Sequence, residues 1–93
     1  MSNETQIKVI VTGKVQGVYY REETRKTADR LGVKGYVKNL VDGRVEAVFK
    51  GEHHPVKKMI EWCHTGSPAA TVQDVSAEET DSLENFQTFE IRY

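Results

Sequence analysis

Apolar and polar residues alternate in the first part of the chain. Within Gln6–Thr12, Ile7, Val9 and Val11 recur at every second position, the period of a strand with one buried face. The run stops at Gly13, and the next pattern has a different period. Over Arg21–Leu31, Thr24, Ala28 and Leu31, with Thr27 beside them, form a small, mostly apolar stripe at helical spacing. Glu22 and Glu23 fall in its first turn and Arg30 in its last, which suits the helix dipole. Gly32 is placed to end the helix in the left-handed region, with Val33 as the contact beyond it. Period two returns in Gly35–Leu40 and again in Val45–Lys50, where Val45, Ala47 and Phe49 share a face and Glu46 and Val48 point outward. Asp42-Gly43, inside the turn Val41–Arg44, is a hairpin signal. From Pro55 to about Thr65, Val56, Met59, Ile60 and Cys63 have the spacing of a core-facing helix, closed by Gly66 and Pro68. Val72–Glu79 predicts a fourth strand and 81–85 a loop. Phe86–Tyr93, with Phe89, Ile91 and Tyr93 alternating, predicts a last strand that continues or flanks the fourth.

Strand, helix, strand, strand, helix, strand is the order of a split βαβ unit. The expected fold class is α+β: a ferredoxin-like sandwich, an antiparallel sheet with two helices on one face. The 93 residues are read as one domain, 1–93, with a polar tail at 1–5. This architecture hosts many functions, so chemistry has to be argued from particular residues.

Composition narrows the choices. A chain 38% hydrophobic and 29% charged has the balance of a folded protein. Thirteen basic against fourteen acidic residues leave a net charge of -1, which speaks against a dedicated nucleic-acid binder. An RNA-binding sheet would also want stacking aromatics and cations where Glu46 and Val48 point outward. Cys63 is the single cysteine, so no intrachain disulfide is available. It reads as a buried thiol in the second helix stripe. No stretch resembles a signal peptide or approaches the roughly 20 apolar residues of a membrane span. The expectation is a cytoplasmic monomer without membrane contact. Asn3-Glu4-Thr5 matches a glycosylation sequon, read as chance in a polar terminus. His53 and His54 are adjacent and point different ways, without a spaced third ligand, and read as a solvated loop; His64 suits a helix C-terminus.

Two stretches carry candidate chemistry. Gly13-Lys14-Val15-Gln16-Gly17-Val18-Tyr19-Tyr20-Arg21 links a strand to a helix. A helix start has unpartnered N–H groups and partial positive charge, and a glycine-bearing loop before it can turn further N–H groups onto one anion. A cation at that end is unfavourable by the dipole alone; Arg21 makes sense there if an anion lies between, since its planar fork grips phosphate. The stretch lacks the Gly-Lys-Ser/Thr ending of a Walker A loop. The plainer reading is a surface loop followed by a solvent-facing arginine. The second stretch, Gly35-Tyr36-Val37-Lys38-Asn39-Leu40, ends in a residue poor at forming strands. Asn39 either begins the turn or offers an amide that orients a water without titrating. Topology allows the first and second strands to lie near each other at the loop end.

Together the two stretches resemble the acylphosphatase family. Its first motif, Gly-x-Val-Gln-Gly-Val-x-Phe/Met-Arg, is matched by Gly13, Val15, Gln16, Gly17, Val18 and Arg21, with Tyr20 in the Phe/Met position. Its second is matched by Gly35, Tyr36, Val37, Asn39, Gly43, Val45 and Gly51, and Glu90–Tyr93 resembles the family's ending. The resemblance implies hydrolysis of the carboxyl-phosphate anhydride of acyl phosphates. It implies a phosphoryl group cradled by the loop of Gln16, Gly17, Val18, Tyr19, Tyr20 and Arg21. It further implies that Arg21 binds the phosphoryl oxygens and Asn39 positions the attacking water, with no metal and no cofactor. A buried hydroxyl on Tyr20 would need a partner. Lys14 and Lys38 flank the motifs and either steer an anionic substrate or stand solvated. The rival reading is a non-catalytic module that binds phosphate or carbamoyl phosphate.

Overall fold

The computed structural model describes residues 4–80 and 85–93. Seven elements follow one another: β1 (Glu4–Lys14), α1 (Tyr20–Leu31), β2 (Lys34–Asn39), β3 (Val45–Glu52), α2 (His53–Thr65), β4 (Thr71–Glu79) and β5 (Phe89–Arg92). The strands form one sheet in the order β4-β1-β3-β2-β5. Both helices pack on one face, the ferredoxin-like α+β arrangement expected from the element order.

The alternation in the sequence decides which face is covered. Val9 and Val11 of β1, Val37 of β2, Val45, Ala47 and Phe49 of β3 and Phe89 of β5 are buried together with Val56, Met59 and Cys63 of α2 and Ala28 of α1. Burial of a Val or Phe side chain contributes about 1.5–3 kcal/mol, so this layer is the main source of stability. Thr24 and Thr27 are also buried, and their hydroxyls donate back to the carbonyls of Tyr20 (2.7 Å) and Glu23 (2.8 Å). That local bond removes the cost of placing a hydroxyl in the core. α1 ends as expected: Val33 N–H reaches Ala28 O (2.9 Å) and Gly32 N–H reaches Asp29 O (3.3 Å), a Schellman closure.

The structure corrects several expectations. The sheet is mixed: β5 pairs parallel with β2, Gly35 opposite Phe89 and Val37 opposite Ile91. β5 therefore lies at the far edge from β4 instead of continuing or flanking it, and begins at Phe89, after Phe86. β1 and β2 are not neighbours, because β3 separates them. The helix α2 starts at His53, so His53 and His54 are helical; Pro55 still falls in the first turn, where its missing N–H donor costs no intrahelical bond. Glu4 and Thr5, assigned to the polar tail, belong to β1. The rest of that tail, the sequon's Asn3 and most of the 81–85 loop lie outside the described residues. The outward face of β3 is not bare either, since Val48 is 4% exposed and Glu46 is 8% exposed. Glu46 accepts from Tyr36 Oη (2.8 Å) and pairs with Lys8 (3.4 Å) and Lys38 (3.5 Å). Burial pushes its carboxyl up, and the Tyr36 hydroxyl and the two lysines more than offset this, so its pKa is lowered. Among the described residues, no helix is long and apolar enough to cross a membrane.

Candidate active site

β1 leaves its regular path at Gly13. The pairing with β4 shifts between Thr12 and Gly13, and Gly13 adopts φ 134. A Cβ there would collide with the carbonyl of Thr71, so only glycine allows the strand to bend at this point. The chain then runs through residues 15–19 into α1. Tyr19 caps the helix in the left-handed region, φ 64 and ψ 21, without a side-chain capping bond.

Among the described residues, no backbone N–H from Gln16 to Glu22 has a protein acceptor. For the start of a helix this is geometry; for the loop before it, it is a row of donors left over after folding. Such a row at the positive end of a helix dipole is an anion site in the general sense.

Three contacts hold the loop from behind. Buried Ser67 donates its hydroxyl to the carbonyl of Val18 (2.6 Å). Tyr20, 2% exposed, turns its ring inward beside Trp62, with ring centroids 5.4 Å apart, and its hydroxyl donates to the carbonyl of Cys63 (2.9 Å). The hydroxyl that sets Tyr20 apart from the family motif thus has its partner at the C-terminal end of α2, and burial pushes its phenol well above the ordinary range. Gly66 packs under the same ring: a Cβ there would meet Tyr20 at 2.5 Å, and its φ of 69 with ψ of -159 is a conformation essentially confined to glycine.

The opposite wall is the end of β2. Asn39 and Val11 both register with Val45, so the Asn39 end of β2 and the Gly13 end of β1 flank the same stretch of β3. That is how two strands that do not touch contribute to one site. Gln16 links the walls: its side-chain amide donates to the carbonyls of Leu40 (2.7 Å) and Arg44 (2.9 Å).

A cavity of about 410 Å³ opens between the walls, lined by Val15, Gly17, Tyr19, Tyr20, Arg21, Glu22, Asn39, Ile91 and Tyr93. Arg21 is held by β5: Nη1 donates to the carbonyl of Arg92 (3.2 Å), and the guanidinium lies 4.7 Å from the centroid of the Tyr93 ring. The Oδ1 atom of Asn39 is buried and has no partner, which is costly unless a water or ligand meets it. Of the residues expected at the site, Gly17, Tyr19, Tyr20, Arg21 and Asn39 line this cavity. The Gln16 side chain turns to the hairpin, and Val18 is buried with its carbonyl on Ser67. Lys38 is committed to Glu46 on the other face of the sheet. Ser67, Ile91 and Tyr93 are not among the expected site residues: Gly66 and Pro68 give only a helix stop, and the last strand gives only its alternation and a resemblance of Glu90–Tyr93 to the family's ending.

Fold and cavity define an α+β sandwich with a row of free backbone donors at a strand-to-helix turn. The family model described as Acylphosphatase matches residues 7–91. An acylphosphatase of Natronomonas pharaonis is 52% identical over 92 residues, covering 99% of each chain. The acylphosphatase structure from Coxiella burnetii superposes with a TM-score of 0.91 at 46% identity, over 97% of this chain and 94% of that one. That from Bacillus subtilis gives 0.89 at 40% identity, over 95% and 98%. The chain belongs to the acylphosphatase family, and is an enzyme of that family.

Proposed function

We propose that the cavity between Arg21 and Asn39 hydrolyses acyl phosphates to a carboxylate and inorganic phosphate. The observation that carries this reading is the row of unpaired N–H groups from Gln16 to Glu22 beside Arg21, with Asn39 lining the same cavity. The N–H row and the Arg21 fork hold the phosphoryl oxygens. Phosphoryl transfer asks the protein mainly for positioning and for stabilising charge on those oxygens. The Asn39 side-chain amide hydrogen-bonds a water and orients its oxygen toward phosphorus.

The water oxygen bonds to phosphorus as the bond from phosphorus to the carboxylate oxygen breaks. The carboxylate leaves with the electron pair, and both protons of the water end on the phosphate. A carboxylate is a good leaving group, so no general acid is required. A phosphoryl oxygen of the substrate itself takes the water's proton.

The test is turnover of acetyl phosphate, with a phosphate monoester as control and a metal chelator present. Wild-type protein should turn over the anhydride alone. Arg21→Ala should lose about 10³-fold or more in kcat/KM, and Asn39→Ala about 10²–10³-fold, mostly in kcat. A folded wild-type chain that binds inorganic phosphate without turnover would leave a binding module for phosphate or carbamoyl phosphate. A bell-shaped pH profile abolished by replacing one histidine would overturn the proton route.

A further inference from the structure

The acyl half of the substrate must lie on the rim of the cavity, and the rim has a distinct composition. Among the described residues, three large hydrophobic side chains stand in solvent: Tyr19 at 73%, Tyr93 at 99% and Val41 at 109% exposure. Two of them, Tyr19 and Tyr93, line the cavity that holds Arg21 and Asn39.

Neither tyrosine is there for the core. Tyr19 is the one non-glycine residue with positive φ among those described, a conformation that is a genuine outlier for a bulky side chain. Asparagine would occupy it with less strain. An aromatic ring held outward on a strained backbone contributes nothing to packing. Tyr93 lays its ring against the Arg21 guanidinium, which gives the cation an aromatic wall while the ring stays open to solvent.

Charge on the lining is equally selective. Among the described residues that line the cavity, Arg21 is the only cation and Glu22 supplies a carboxylate; the rest is Val15, Gly17, Ile91, Asn39 and the tyrosines. With Arg21 engaged by the phosphoryl group, a second anionic group on the substrate meets no other lining cation and lies near a carboxylate. Lys38, which precedes Asn39, is paired with Glu46.

We propose that Tyr19 and Tyr93 form an acyl-binding subsite that selects acyl phosphates with an uncharged, flat or apolar acyl group over those carrying a second anion. The proposal rests on the acyl-phosphate hydrolysis proposed above. Aromatic faces bind flat apolar groups while keeping their hydroxyls wet. The carboxylate on the rim acts against the wrong substrate, as specificity requires.

The experiment compares kcat/KM for benzoyl phosphate, acetyl phosphate and 4-carboxybenzoyl phosphate in wild type, Tyr19→Asn, Tyr93→Ser and the double variant. Inhibition by inorganic phosphate reports separately on the phosphoryl cradle. Wild type should favour benzoyl over acetyl phosphate through KM, and disfavour the carboxylated analogue at low salt. Each tyrosine removed should lower the benzoyl-to-acetyl ratio by about three- to tenfold. A general loss of phosphoryl binding scales both substrates and leaves that ratio alone. Val41→Ser, exposed but outside the cavity lining, should keep the wild-type ratio. An unchanged ratio in the double variant, or a preference for the carboxylated analogue, overturns the subsite while leaving the hydrolytic reading standing. Absence of turnover with every acyl phosphate overturns both.

Discussion

The two walls of the cavity are built to different standards. On the loop side each brace runs into the interior: Ser67 to the Val18 carbonyl, Tyr20 to the Cys63 carbonyl, and Gly66 under the Tyr20 ring. On the Asn39 side the supports are near the surface: the Gln16 amide on two hairpin carbonyls and the exposed pair of Asp42 and Arg44, 2.8 Å apart. The difference follows from what each wall does in the proposed reaction. Donors that stabilise developing charge are effective only if fixed beforehand, because any reorganisation is paid during the reaction. A group that orients a water has a less exacting task.

The largest break in this comparison should come from Gly66→Ala. The substitution places a Cβ against the Tyr20 ring and forces a backbone conformation reserved for glycine. We expect a loss of about 2–4 kcal/mol in denaturant unfolding, from overpacking and backbone strain together. Inhibition by inorganic phosphate should weaken in the same variant. A loss under about 0.5 kcal/mol would mean that the braces behind the loop are slack.

Ser67→Ala and Gln16→Ala set the walls against each other directly. Ser67→Ala leaves the Val18 carbonyl buried without a donor, at about 1–3 kcal/mol, and should raise KM and the phosphate inhibition constant together. Gln16→Ala uncovers carbonyls that water can reach, so its stability cost should stay near or below about 1 kcal/mol. Its effect should fall on kcat, through the setting of Asn39. Steady-state kinetics with acetyl phosphate separate the two; the opposite split would show that the walls have been assigned the wrong roles.

How much of this was legible from residues alone depended on the range of the contact. Period-two alternation named Val9, Val11, Val45, Ala47 and Phe49 as core, because a strand's facing is a local property. Helical spacing likewise found Val56, Met59 and Cys63. Gly13, Gly17, Arg21 and Asn39 stood out because their types are odd for their positions: a cation at a helix start, an amide at a strand end. Ser67 and Tyr93 carry no such oddity. A serine between glycine and proline is ordinary turn chemistry, and its hydroxyl matters only because the fold brings Val18 to it across 49 positions. β5 was misplaced for a similar reason. Its alternation fixed its facing, while its partner was set by a parallel pairing with β2 that no hairpin signal announces.

At neutral pH Tyr20→Phe should have a modest effect, and its pH dependence is the most informative. The ring stays, the Gly66 contact stays, and only the bond to the Cys63 carbonyl is lost, at about 0.5–1.5 kcal/mol. In the wild type the buried phenol is held protonated, its pKa raised above 10.0 by burial first and by Cys63 second. The unfolded chain ionises near 10.0 while the native chain does not, so unfolding releases a proton and stability falls as pH rises through that point. Tyr20→Phe lacks this term. Cys63, pushed up to about 12 by burial from 9.0, retains its own loss above pH 9.0 in both proteins. Unfolding free energies measured from pH 8 to about pH 11 should therefore converge, with Tyr20→Phe less stable at the start and losing less above pH 10. Parallel curves would mean that the phenol ionises in the native state, and that the loop's inner brace opens to solvent.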